Sequence, residues 1–211
     1  MCYGNVYIIP VEFREPGEKL HKNGHVECGA NVMVKDDQFI YTGTRQYYRS
    51  KKEVGVVKIL EPMNSELNYF EYQIISRGAC GEIGIGVGGH DYPLDKMPGW
   101  CQNGVGYHAD DGHLYNQKGS GPKFGPTCTE GDRMGCGIVF QSESEGDVDV
   151  FFTKNGQQVG TLVRFKKPKG GLYPLIGMHS EGEKVQYLGH WHCLLHGNTH
   201  DKTIPSNGKQ I

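Results

Sequence analysis

The feature that most constrains this chain is a pair of short apolar segments joined by Asn155-Gly156. Residues 148–154 precede the dipeptide and residues 157–164 follow it. Asn and Gly tolerate the positive φ that a type I′ turn requires at both central positions, and the twist of that turn matches the strands it joins. The pattern therefore predicts a β-hairpin.

The glycine content extends this prediction to the whole chain. Glycine makes up 32 of the 211 residues, roughly twice average usage, and each glycine weakens a helix by about 1 kcal/mol. Apolar segments recur roughly every ten residues with turn residues between them, which is typical of an antiparallel sandwich. We predict an all-β fold without helices. The predicted strands are 31–34, 39–41, 54–60, 69–75, 82–88, 132–141, 148–154, 157–164, 172–178 and 184–188, with 6–9 as a further candidate.

Composition excludes several classes of function. The 22 basic and 24 acidic residues nearly cancel, so we expect neither nucleic acid nor a membrane surface as a partner. The seven cysteines are odd in number and irregularly spaced, which favours reduced thiols in the cytoplasm, with the nucleus as a second compartment. We predict one domain over about 30–190, an N-terminal extension (1–29) that adds a strand, and a polar C-terminal tail (191–211).

The segment Gly84–Gly89 matches the glycine fingerprint of dinucleotide-binding proteins, G-x-G-x-x-G. That fingerprint needs a helix to begin at its third glycine, whereas here Pro93 and Pro98 interrupt any helix. We predict instead a central strand without side chains at alternate positions, because something large packs over it. We expect no cofactor.

Two clusters carry potential metal ligands. His108-Ala-Asp-Asp-Gly-His113 suits either a divalent ion or a structural turn, and a hydrolase using His108, Asp110 and His113 is one alternative function. The tail suits either zinc or a solvated segment, its candidate ligands being His192, Cys193, His196 and His200. We favour the turn and the solvated tail, and therefore predict no metal. Because Cys80 and Cys136 lie beside glycines in or next to predicted strands, we interpret them as buried thiols, not nucleophiles.

Aromatic and arginine side chains in predicted loops point to protein binding. Tyr, Trp and Arg carry most of the binding energy in protein interfaces. Trp100 suits either a core position or a binding role. The other candidates for partner contact in these loops are Arg45, Tyr47, Tyr48, Arg49 and Tyr92.

Taken together, a series of ordered motifs resembles the SPRY domain, and within it the RanBPM-like branch. The motifs lie between residues 30 and 190 and are Tyr69-Phe-Glu-Tyr-Gln-Ile74, Gly84-Ile-Gly-Val87, Pro98-Gly-Trp100, Val105-Gly-Tyr-His-Ala-Asp-Asp-Gly112, Phe124-Gly-Pro126, Gly131-Asp-Arg-Met-Gly-Cys-Gly137, Phe151-Phe-Thr-Lys-Asn-Gly156 and Leu172-Tyr-Pro-Leu-Ile-Gly177.

The resemblance implies a bent, concanavalin-like jelly roll of two antiparallel sheets and a non-enzymatic module that captures a peptide or protein surface. It places the contacts on three loops, Arg45–Arg49, Asp91–Trp100 and His179–Gly182, and so adds Ser180 to the candidates. The family's Arg-x-Pro pattern in the first loop is absent here, since Tyr47 stands in place of the proline. An adaptor role in ubiquitin ligation or signalling is the leading hypothesis, and a lectin-like carbohydrate-binding domain is a second alternative. No small-molecule substrate is expected.

Overall fold

The computed structural model describes residues 25–43, 54–140 and 146–191. Within these ranges the chain forms strands and no helix, and so contains no helix that could cross a membrane. The strands are β1 (Val26–Cys28), β2 (Val32–Lys35), β3 (Gln38–Tyr41), β4 (Gly55–Ile59), β5 (Tyr69–Arg77), β6 (Ile83–Gly88), β7 (Gly104–His108), β8 (Leu114–Asn116), β9 (Arg133–Val139), β10 (Asp147–Lys154), β11 (Gln157–Lys166), β12 (Tyr173–Met178) and β13 (Glu183–Trp191).

The strands form two antiparallel sheets, which confirms the predicted sandwich. One sheet has six strands in the order β1-β4-β12-β6-β7-β8. The other has seven, in the order β11-β10-β9-β5-β13-β3-β2. Alternate side chains of the two sheets face each other, and the main core contains Phe70, Tyr72, Tyr107 and Phe152. Burial of these large rings supplies the main driving force for the fold.

Two hairpins have the turn geometry that the sequence predicts. Asn155 and Gly156 have φ values of 53° and 80° between β10 and β11. Asp36 and Asp37, with φ values of 49° and 63°, join β2 to β3 in the same way. Asn and Asp are the non-glycine residues that enter this region at least cost.

The glycine-rich strand β6 confirms the prediction that a large group packs over it. Residues 89–103 form a long loop that lies on the outer face of the six-stranded sheet. A second, smaller core joins this loop to the sheet through Val54, Val56, Tyr92, Met97 and Leu175. The glycines make room for it, because a Cβ on Gly88 would lie 2.8 Å from the ring of Tyr92.

Three strands lie at positions that the sequence analysis did not name, although it expected the extension 1–29 to add a strand. β1 lies within the extension 1–29 and pairs with β4 through Val26 and Ile59. β7 and β8 follow the long loop. Their signal is weak because Gly104 and Gly106 dilute the apolar pattern of β7 and β8 has only three residues. The candidate strand at 6–9 lies outside the described residues.

Candidate functional site

Strand register brings several connecting segments to one edge of the sandwich. Met178, the last residue of β12, pairs with Gly55 at the start of β4 and with Ile83 at the start of β6. Gly84 in turn pairs with His108, the last residue of β7. The segments before β6, after β7 and after β12 therefore lie side by side. We call residues 78–82, 109–113 and 179–182, together with Trp100, the rim.

Trp100 reaches the rim from the long loop. This loop leaves the far end of β6 and returns across the sheet, where Pro98 lies over Gly106 and Gly177. The half-buried indole then stands edge-on to His179, with ring centroids 5.7 Å apart and an interplanar angle of 86°. Its Nε1 is buried and has no hydrogen-bond acceptor among the described residues. The structure thus places Trp100 in contact with the segment 179–182, so that parts of two of the three loops named from the resemblance lie together.

Tyr92 has an internal role. Its side chain is 2% exposed, and its hydroxyl donates to the carbonyl oxygen of Met97 at 2.7 Å. Burial raises the pKa of the hydroxyl, and the neighbouring Cys101 adds to this effect. A side chain enclosed in this way offers no surface to a partner. The expectation for Tyr92 is therefore corrected from partner contact to bracing of the long loop.

Ser180 is also internal. It is 0% exposed, donates from Oγ to Glu183 at 2.6 Å, and accepts from the backbone N–H of Cys80 at 3.2 Å. Its hydroxyl is fully used within the protein. The expectation of partner contact is corrected here as well, and Ser180 instead fixes the loop on which His179 stands.

The first predicted contact loop lies outside the described residues, and its binding role stays a prediction. The residues concerned are Arg45, Tyr47, Tyr48 and Arg49. The described chain resumes at Val54, which packs in the smaller core with Met97, and Gly55 pairs with Met178. The described chain therefore resumes next to the rim.

The turn after β7 uses its polar side chains within the structure. His108 is 3% exposed, donates from Nε2 to the carbonyl oxygen of Pro98 at 2.9 Å, and stacks on Tyr115 at 4.0 Å. Asp111 accepts from the backbone N–H of His113 and from the Tyr115 hydroxyl. These contacts favour the interpretation as a structural turn. In the described ranges no three His, Cys, Asp or Glu side chains are placed to hold a metal ion.

Ionisable groups in the rim and directly beside it have shifted pKa values. Burial lowers the pKa of His108 to about 4, against the raising effects of the bond to Pro98 and of Asp111. Asp110 is exposed, but desolvation by the surrounding groups raises its pKa to about 6, and the nearby carboxylate of Asp111 adds to this. The His108 ring is therefore neutral at physiological pH and held in one orientation. It serves as a rigid support for Trp100, with ring centroids 6.2 Å apart.

The sequence analysis named the loop that contains His179 but gave no role to His179 itself, and it missed Glu183, which follows this loop. His179 Nδ1 lies 3.8 Å from Glu82 Oε2, and Glu183 accepts hydrogen bonds from the loop that precedes it. The spacing Ser180-x-x-Glu183 is a capping pattern and was the available signal for Glu183.

Comparison with known proteins agrees with this architecture. The SPRY domain model matches residues 68–189, which is more than half of the chain. A crystal structure of a human SPRY domain superposes with a TM-score of 0.66 at 40% identity, covering 77% of this chain and 95% of the other. The chain therefore belongs to the SPRY domain family. The SPRY domain of human HERC1, with a TM-score of 0.53 at 19% identity, shares the fold.

Curated relatives place the chain near the RanBPM-like branch. It is 43% identical over 143 residues to SPRY domain-containing protein 3 of Homo sapiens, which is 68% of this chain and 32% of the relative. It is 38% identical over 177 residues to the Ran-binding protein M homolog of Arabidopsis thaliana, covering 81% and 36%. The chain thus spans about a third of the length of these relatives. Domains of this family are generally interaction modules rather than enzymes.

Proposed function

We propose that this chain captures an extended peptide or a protein surface at the rim, as an adaptor or substrate-recruiting subunit in ubiquitin ligation or signalling. The observation that carries the proposal is the placement of Trp100, a half-buried indole held between three segments of the sandwich edge. Aromatic side chains on a rigid support supply contact area at low entropic cost.

The support for Trp100 is preformed. His108 and Tyr115 stack beneath it, and a Cβ added to Gly99 would lie 2.2 Å from the carbonyl oxygen of Tyr115. The loop and the sheet therefore approach as closely as backbone atoms allow. A rim ordered before binding loses little conformational freedom when a partner arrives.

The loop 45–49 completes the proposed surface. Arg45 and Arg49 would pair with acidic groups or backbone carbonyls of the partner, while Tyr47 and Tyr48 would add apolar area. Tyr47 in place of the family's proline implies a ligand motif that differs from that of its Arg-x-Pro relatives.

Affinity purification tests this proposal. Wild type, the Arg45→Ala/Tyr47→Ala variant and the Trp100→Ala variant are immobilised, and the proteins retained from a cell lysate are identified by mass spectrometry. Leu60→Ala, exposed just beyond the end of β4 that lies opposite to Gly55, is the control. A partner retained by wild type and the control but lost at least tenfold by both rim variants supports the proposal. Undiminished retention by the rim variants, all shown to be folded by thermal melting, overturns it.

A further inference from the structure

Glu183 is a buried carboxylate at the point where the loop 179–182 enters β13. It is 0% exposed. Its Oε2 accepts from the backbone N–H groups of His179 at 2.7 Å and Ser180 at 2.9 Å. Its Oε1 accepts from the Ser180 hydroxyl at 2.6 Å. One side chain therefore orders two consecutive residues of the rim through three hydrogen bonds.

The same network reaches a second rim segment. The Ser180 hydroxyl accepts from the backbone N–H of Cys80, and the backbone N–H of Ala79 donates to the carbonyl oxygen of Glu181 at 2.9 Å. Gly78 packs against this loop so closely that a Cβ would lie 2.4 Å from the same carbonyl oxygen. Hydrogen bonds and close backbone packing therefore join the segments 78–82 and 179–182.

We propose that Glu183 is a positioning residue for the rim, and that its ionisation state sets how firmly His179 is held against Trp100 and hence how well the rim captures a partner. The second half of this inference rests on the proposed function. The first half concerns the order of the rim alone and is measured without a partner.

The hydrogen-bond geometry explains how one proton acts here. The ionised carboxylate accepts all three bonds, and bonds to a charged acceptor are the stronger kind. A proton on Oε1 would reverse the bond to Ser180, while Oε2 would keep the two N–H donors as a weaker, uncharged acceptor. The loop is therefore held in both protonation states. Because the folded protein raises the pKa of Glu183 above its ordinary value of 4.5, an opening that exposes the carboxylate to water becomes easier once Glu183 is ionised.

The surroundings place this change near neutral pH. Burial raises the pKa of Glu183 to about 7, with the hydrogen bonds from Ser180 and His179 acting in the opposite direction and Glu82 adding to the rise. The ionisable groups that face or pair with Glu183 are Tyr72 and Arg77 from β5, Glu82 from the segment before β6, and His179 from its own loop.

Glu183→Gln is the decisive variant because glutamine reproduces the protonated state: its oxygen can accept the two N–H groups and its amide can donate to Ser180. Glu181→Gln, exposed on the same loop, is the matched control. Hydrogen-exchange protection of the His179, Ser180 and Cys80 amides is measured by NMR at pH 6 and pH 8. In wild type and the control, we expect protection at least fivefold higher at pH 6 than at pH 8, because ionisation of the buried carboxylate favours opening of the loop. In Glu183→Gln we expect protection equal at both pH values and close to the wild-type value at pH 6.

Two results would overturn the assignment: equal protection at both pH values in wild type, or an unchanged pH dependence in Glu183→Gln. A thermal melt confirms that the variant is folded. Capture is then compared at the two pH values for a partner that wild type retains and Arg45→Ala/Tyr47→Ala does not. If capture changes with pH in the same direction as amide protection, the proposed effect of Glu183 on partner capture is supported. If capture does not depend on pH, that effect is overturned. If no variant retains any partner, the proposed function fails while the amide data still decide the role of Glu183.

Discussion

The indole of Trp100 stands edge-on to the imidazole of His179 at a centroid distance of 5.7 Å. The two residues come from loops that leave opposite ends of neighbouring strands, β6 and β12. Their contact joins the long loop to the segment that Glu183 orders. The two loops therefore support one surface. We expect a substitution that displaces either ring to alter the position of the other.

Replacing the indole tests what Trp100 contributes. Trp100→Phe keeps an aromatic ring and removes an N–H that has no acceptor within the described residues, so its cost to stability should stay below about 1 kcal/mol. Trp100→Ala loses the ring contacts with His108, Tyr115 and His179 and should cost about 2 kcal/mol or more. Urea denaturation measures both values, and equal costs would contradict this account.

The close approach of the long loop to the sheet gives a second prediction. A Cβ on Gly106 would lie 2.3 Å from the carbonyl oxygen of Pro98, whereas one on Gly119 would have no heavy atom within 4 Å. Gly106→Ala should therefore destabilise the fold by about 1–3 kcal/mol and change the fluorescence of Trp100. Gly119→Ala is the control and should leave both unchanged. A Gly106→Ala protein as stable as the control would mean that the loop does not pack on β7.

The lowered pKa of His108 predicts that the folded protein loses stability in acid. Its folded pKa of about 4 lies below the ordinary value of 6.5, so the unfolded chain takes up the proton first. The stabilisation is fully present above pH 6.5 and is lost as the pH falls toward 4, by about 3 kcal/mol at most.

The matched pair His108→Gln and His113→Gln isolates this effect by urea denaturation at pH 4.5 and 7. Glu183 acts in the opposite sense: because its pKa is raised, its contribution to the free energy of unfolding falls as the pH rises from about 4.5 to 7. This contribution is the same in all three proteins, so subtracting the wild-type free energy from that of each variant removes it. Only His108→Gln should flatten the acid loss, and an identical loss in all three proteins would contradict the prediction.

A substitution at Tyr92 tests whether this residue braces the long loop. Tyr92→Phe removes the hydrogen bond to the carbonyl oxygen of Met97, which keeps its second bond, from the backbone N–H of Trp100 at 3.0 Å. The loss of one buried hydrogen bond should cost about 1 kcal/mol. Capture of a partner that depends on Trp100 should be unchanged at a temperature where the variant is folded. A stable variant that no longer captures this partner would instead restore Tyr92 to the binding surface.

Much of the sheet architecture was predictable because its signals are local. The positive φ at Asn155-Gly156 follows from the two residues themselves. The spacing of glycines in β6, followed by two prolines, excluded a helix and predicted a group packed over the strand. The weak strands β7 and β8 were not predictable in this way, since Gly104 and Gly106 carry no apolar side chain and the pairing partners supply the ordering.

In the candidate site, too, residue types were predictable from the sequence, whereas burial and contacts were not. Residue types identified Trp100 as either a core or a binding residue, but its half-buried position against His179 depends on a loop that crosses the outer face of a sheet. For Tyr92 and Ser180, the residue type alone does not show whether the side chain points outward or inward. Their burial was decided by packing against Met97 and by the carboxylate of Glu183, contacts between positions brought together only by folding.

Local conformational preferences were thus enough to establish an all-β sandwich and the chemistry available to its loops. Which of those side chains face a partner, and which brace the surface from within, depended on contacts across strands far apart in the chain. Burial and hydrogen bonding between such positions are properties of the folded molecule, because neither the distance nor the solvent exposure that governs them exists before the two sheets pack together.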